Sequence, residues 1–123
     1  MIIGIGTDIV EVSRIAKSIE KTGFKEKVFS KIEISYCETK KNKAESFAAR
    51  FAAKEAFFKA LGRGWRDGMA FNEVEIGNDK FGKPALNVLG KTAKIIAKNN
   101  IKTVHVSLSH VKELAIAMIV LEG

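Results

Sequence analysis

The chain opens on a strict alternation. Over residues 2–12, Ile3, Ile5, Thr7 and Ile9 fall on one side and Gly4, Gly6 and Asp8 on the other, which predicts a β-strand. Ser13 is placed to cap a short basic helix over 14–21 that ends near Gly23. A second helix is expected over 30–40, where Ser30 and Glu33 have capping-box spacing. Lys40, Lys41, Asn42 and Lys43 read as a basic loop, and Ala44 to Leu61 as the longest helix, with Gly62 as its C′ residue. A loop containing Gly62, Gly64 and Gly68 leads to a strand near 71–77. Residues 78–84 read as a turn, followed by a short strand over 85–88 and a helix over 90–99. Strands over 102–109 and 114–121, joined tightly, predict a hairpin. Helices mixed with antiparallel pairing point to an α+β fold rather than a doubly wound sheet.

On a helical wheel of residues 44–61, Ala44, Ala48, Phe51, Ala52 and Phe58 share one apolar arc of roughly 120–140°. Glu55 falls in the middle of that arc with Lys59 beside it, while Arg50 and Lys54 lie off it. A carboxylate in an apolar stripe is costly unless a cation or metal satisfies it. Two explanations stand side by side: an i,i+4 ion pair of Glu55 with Lys59, or a site. Asp8 bears on the choice. Its face of the first strand otherwise offers only Gly4 and Gly6, which leave room for a ligand or for another backbone. A strand Asp and a helix Glu converging on one point could hold Mg²⁺, which takes oxygen ligands, commonly one or two carboxylates with substrate phosphates and water.

The final hairpin adds a third group. In Thr103 to His110, Val104, Val106 and Leu108 face the core, and His105, Ser107 and Ser109 the other side. Hydroxyls and imidazole beside Arg50, Lys54 and the 40–43 loop could bind phosphate oxygens. No G-x-S-x-G elbow supports a serine hydrolase, and Gly4 and Gly6 lack the third glycine and the following helix of a dinucleotide fingerprint.

Composition narrows the picture. The chain has 123 residues, a length suited to one domain spanning 1–123. No run approaches the roughly 18 apolar residues of a membrane span. The start lacks a basic leader before an apolar run, and Cys37 is the lone cysteine, so no internal disulfide is possible; a cytoplasmic protein is expected. A formal charge of +7 calls for an anionic partner: nucleic acid, a phosphorylated cofactor or an acidic protein. Phe24, Phe29, Phe71 and Phe81 among many lysines would suit single-stranded nucleic acid. That reading leaves Glu55 unexplained, so no nucleic-acid partner is expected. A Mg²⁺-dependent phosphohydrolase would use the same carboxylates.

Four segments resemble the holo-acyl-carrier-protein synthases, the small trimeric 4′-phosphopantetheinyl transferases. They are Gly4-Ile5-Gly6-Thr7-Asp8-Ile9 with Arg14 after it, the run from Arg50 to Gly62, Gly82-Lys83-Pro84, and Val106-Ser107-Leu108-Ser109-His110. The run from Arg50 to Gly62 is the specific one. The resemblance implies that fold, with antiparallel strands packed against one long and several short helices. It also implies transfer of phosphopantetheine from coenzyme A to a serine of acyl carrier protein, releasing 3′,5′-ADP. Asp8 and Glu55 then correspond to the carboxylates that hold Mg²⁺, and Lys59 to a lysine contacting the coenzyme A phosphates. Arg50, Lys54, Gly62, Pro84, Ser109 and His110 match coenzyme A positions, with Pro84 and His110 reaching across a subunit interface of a homotrimer. Arg14 matches the position that meets the acidic carrier protein. Leu114, Val111 and Phe58 depart from residues common in the family, all around the coenzyme A cleft.

Overall fold

The computed structural model describes residues 1–62 and 68–123, so Gly64 of the expected glycine loop lies outside the described residues. The first strand, β1 (Ile2–Glu11), runs directly into α1 (Val12–Ser18). The helix starts two residues earlier than the Ser13 cap predicted, with Glu11 at the N-cap position, because Val12 and Ile15 bury one face at once. A short helix absent from the sequence reading, α2 (Phe24–Val28), follows Gly23, whose φ of 85° lets the chain reverse before it. Then come α3 (Lys31–Glu38), α4 (Lys43–Leu61), a 3₁₀ turn at Phe71–Glu73, β2 (Val74–Asn78), β3 (Pro84–Val88), α5 (Gly90–Ala97), β4 (Thr103–His110) and β5 (Leu114–Glu122). The expected strand near 71–77 thus begins later, after the 3₁₀ turn.

Two predicted caps are present. Ser30 Oγ accepts the Glu33 amide at 3.3 Å, and Glu33 Oε1 accepts the Ser30 amide at 2.9 Å. Gly62 ends α4 in the left-handed region, φ 70°.

β1, β5 and β4 form an antiparallel sheet in that order, with β5 in the middle; β2 and β3 pair separately. In β5, Ala115, Ala117, Ile119 and Leu121 are buried while Leu114, Ile116 and Met118 remain exposed. The buried side packs against α4. The open side continues through Ile5 and Ile9 of β1, which are 59 % and 60 % exposed, so a sheet face rich in large apolar side chains meets solvent.

α4 is the hub of the core, and it corrects the single-arc reading. It packs against β1 and β5 on one side and against α1, α3 and β2 on others. Phe47, Ala49, Ala53, Phe57, Arg50 and Lys54 are buried along with the predicted stripe. Alanines around most of its circumference allow this close approach from several directions. No helix among the described residues is long and apolar enough to cross a membrane.

Candidate active site

The glycines of β1 determine how the site is built. A Cβ on Gly6 would overlap the Ala56 carbonyl oxygen and stand 2.7 Å from the Ala60 amide nitrogen; one on Gly4 would overlap the Ala60 carbonyl. The space left by these glycines is therefore filled by the backbone of α4, the second of the two expectations. Asp8 lies two positions beyond Gly6 on the same side of the strand, and Glu55 immediately precedes Ala56. Drawing strand and helix together thus brings the two carboxylates into one electrostatic neighbourhood.

That neighbourhood is visible in the state of Glu55. Partial burial raises its pKa above the ordinary value, and the negative charge of Asp8 raises it further, against opposing pulls from Lys59 and Arg14. The i,i+4 explanation of Glu55 does not hold. Lys59 Nζ donates instead to Asp8 Oδ1 at 2.7 Å and to the Thr7 carbonyl at 3.2 Å. Among the described residues Glu55 enters no ion pair within 4.0 Å. Its half-buried charge, with a second carboxylate close by, is what a hard divalent cation would relieve, and the donors are the oxygens such a cation takes. Asp8 and Glu55 fit a site completed by substrate oxygens and water; no cluster of three or more metal-ligating side chains occurs among the described residues.

Lys54 overturns an expectation. Its side chain is 0 % exposed, and Nζ donates to Glu33 Oε1 at 2.7 Å, to the Phe71 carbonyl at 2.9 Å and to the Val74 carbonyl. Burial pulls its pKa down, while the Glu33 charge pushes it back up. With three acceptors and no exposure, it ties α4 to α3 and β2 rather than reaching a ligand. Lys54 is thereby withdrawn from the group of hydroxyls, imidazole and basic side chains expected to bind phosphate oxygens.

Of the other predicted residues, Arg14 is near enough to act on Glu55, whereas His110 lies towards the far end of α4. Arg50 is 5 % exposed, donates from Nη2 to Asn78 Oδ1 at 3.1 Å and stacks over Tyr36, while its Nε has no partner among the described residues. His110 Nδ1 lies 3.1 Å from Glu45 Oε1 at the first turn of α4. Ten residues separate Glu45 from Glu55, about 15 Å along a helix. Ser109 is exposed on the outer face of the sheet, opposite Ile116. Pro84 opens β3 and lines a cleft of about 280 Å³ with Asp79, Lys83, Leu86 and His105. Gly62 sits at the end of α4, less than a turn past Lys59. Tyr36, Asn78 and Glu45, which orient Arg50 and His110, carried no signal in sequence because each acts across the fold.

The aromatic residues do not form a platform. Phe29 is buried, Phe24 and Phe71 pack against the core, and of the four only Phe81 is exposed. A stacking surface for single-stranded nucleic acid is therefore not built from them.

Similarity to known proteins agrees with this geometry. Residues 4–119 match the family described as the 4′-phosphopantetheinyl transferase superfamily. The chain is 46 % identical, over 100 % of its length and 98 % of the relative's, to a Syntrophus aciditrophicus protein named holo-[acyl-carrier-protein] synthase. Its fold resembles the crystal structure of the Neisseria meningitidis holo-[acyl-carrier-protein] synthase with a TM-score of 0.91 and 35 % identity, covering 100 % of both chains. It also resembles that of the Bacillus anthracis synthase in complex with CoA (3′,5′-ADP), with a TM-score of 0.82 and 39 % identity, covering 98 % of this chain and 96 % of that one. With a match that runs from β1 to β5, the chain belongs to the 4′-phosphopantetheinyl transferase superfamily.

Proposed function

We propose that this protein is a holo-[acyl-carrier-protein] synthase. It transfers 4′-phosphopantetheine from coenzyme A to a serine hydroxyl of apo-acyl carrier protein, releases 3′,5′-ADP, and so supplies carrier for fatty acid biosynthesis in the cytoplasm. The observation that carries this reading is the convergence of Asp8, Glu55 and Lys59, in a chain similar over its length to proteins of that name.

Asp8 and Glu55 would hold Mg²⁺, which when bound would supply neutralisation of the charge that develops in phosphoryl transfer. The carrier serine oxygen attacks the pantetheine-side phosphorus, and the bond to the 3′,5′-ADP oxygen opens. Lys59, an exposed ammonium on the helix that carries Glu55, stabilises the leaving phosphate. Glu55 takes the serine proton, a role it combines with holding the metal.

Arg50, Gly62, Pro84, Ser109 and His110 hold coenzyme A, and Arg14 meets the acidic carrier protein. The working unit is a homotrimer in which Pro84 and His110 serve a neighbour's carboxylates. Two features favour it: the separation of His110 from Glu55 within one chain, and the apolar open face of the sheet.

Mass spectrometry tests the reading. Apo-acyl carrier protein incubated with the protein, coenzyme A and Mg²⁺ should gain about 340 Da, the phosphopantetheinyl group. Asp8→Ala and Glu55→Ala should each abolish the gain while remaining folded. An unmodified carrier with the wild-type protein would sink the assignment.

A further inference from the structure

Lys59 and Lys54 stand five residues apart on one helix, and their situations are opposite. Lys54 is fully enclosed with three acceptors; the Lys59 side chain is 57 % exposed and is held by Asp8 Oδ1 and one backbone carbonyl. Asp8, at 14 % exposure, is fixed by β1, and Glu55 by α4. The carboxylates cannot move without disturbing the core, whereas the lysine can leave by rotation of its own stem.

Resting on the metal reading above, we propose that Lys59 is an exchangeable counter-cation. It neutralises Asp8 before metal binds, is expelled from that carboxylate when a divalent cation arrives, and is thereby released to the phosphates of the incoming substrate.

Charge arithmetic sets the direction. An ammonium and a dication sharing one half-buried carboxylate repel each other, and the dication, with twice the charge and access to Glu55 as well, keeps the site. The displaced ammonium carries three donors and no acceptor, so phosphate oxygens are the partners that satisfy it next. Metal binding then includes the cost of breaking the Lys59–Asp8 contact, and a phosphate ligand recovers it. By linkage, this adds a favourable coupling between metal and substrate beyond the one from direct metal–phosphate contact.

Two measurements test the exchange without turnover. Mn²⁺ binding, followed by electron paramagnetic resonance with no phosphate compound present, should be about fivefold tighter in Lys59→Met than in wild type, the factor expected for losing one exposed ion pair. Unchanged or weaker Mn²⁺ binding in that variant overturns the proposal. Acetic anhydride labelling of Lys59, read by peptide mass spectrometry, should accelerate as Mg²⁺ is added to wild type. In Asp8→Asn it should already be fast and insensitive to Mg²⁺. Labelling that stays constant in wild type through a titration that saturates the metal site overturns the exchange even if charge alone tightens Mn²⁺ binding. Equal Mn²⁺ affinity in wild type and Asp8→Asn would overturn the underlying metal assignment instead, so the two failures are distinguishable.

Discussion

Lys54 and Glu33 form an ion pair at 2.7 Å with both side chains withdrawn completely from solvent. The Glu33 carboxylate also accepts the amides of Ser30 and Ile76, so one residue caps α3, anchors β2 and neutralises α4. Lys54→Met should leave that carboxylate uncompensated and cost about 3–5 kcal/mol in urea unfolding. Glu33→Gln together with Lys54→Met should recover much of the loss. A loss in the double variant as large as in the single one would show that the pair's charges are not what the core depends on.

A side chain at Gly6 meets backbone atoms of α4 that cannot swing aside. Gly6→Ala should cost about 1–3 kcal/mol as an overpacking change. It should also weaken Mn²⁺ binding, because the strand carrying Asp8 must back away from the helix carrying Glu55. Metal affinity equal to wild type in a folded Gly6→Ala protein would show that the close approach does not set the carboxylate geometry.

Glu73 organises the first turn of α5: its oxygens accept the Thr92 hydroxyl at 2.6 Å and the amides of Thr92 and Lys91. The Thr92 hydroxyl, above all, holds its pKa below the ordinary carboxylate value, with the two amides adding to the effect against partial burial. A depressed folded-state pKa means stability present above the unfolded value and lost as pH falls through the folded one. Thermal melts from neutral pH into the acid range should therefore show less acid sensitivity in Glu73→Gln than in wild type, with about 1 kcal/mol lost at neutral pH. An identical pH profile in the variant would exclude this contribution.

The open face of the sheet yields a prediction about association. Met118 lies at its centre, between Thr7 of β1 and Ser107 of β4, and is 47 % exposed. Met118→Glu should shift sedimentation velocity from a trimer towards a monomer, because a charge at the centre of an apolar contact is left unpaired. Unaltered sedimentation would place the contact between copies elsewhere.

The features readable from sequence were those written in local patterns. The Ser30–Glu33 box, the end of α4 at Gly62, the closing hairpin and the anomalous position of Glu55 all depend on spacings of a few residues. What escaped depends on distant partners. Lys54 looked available because it lay off an apolar arc, yet the alanines at 49, 53 and 60 already signalled a helix enclosed on several sides. Lys59 looked like the partner of Glu55 because they are four apart, but Asp8, 51 residues away in sequence, holds it. The helix α2 carries no local signal of its own, since Gly23 reads as the end of one helix while its positive φ leads into the next.

The pairing of β1 with β5 gives the strand something like a reading frame. Asp8 stands opposite Ala117 and Ile9 opposite Ile116, so neighbouring residues answer to opposite sides of the sheet. Deleting one residue between Gly4 and Asp8 would shift that frame, turning Asp8 outward and forcing a bulkier residue against α4. The strand already contains an irregularity between Ile2 and Gly4. Length changes upstream of it can be absorbed there, whereas those within the next four residues erase the site without altering any residue that forms it.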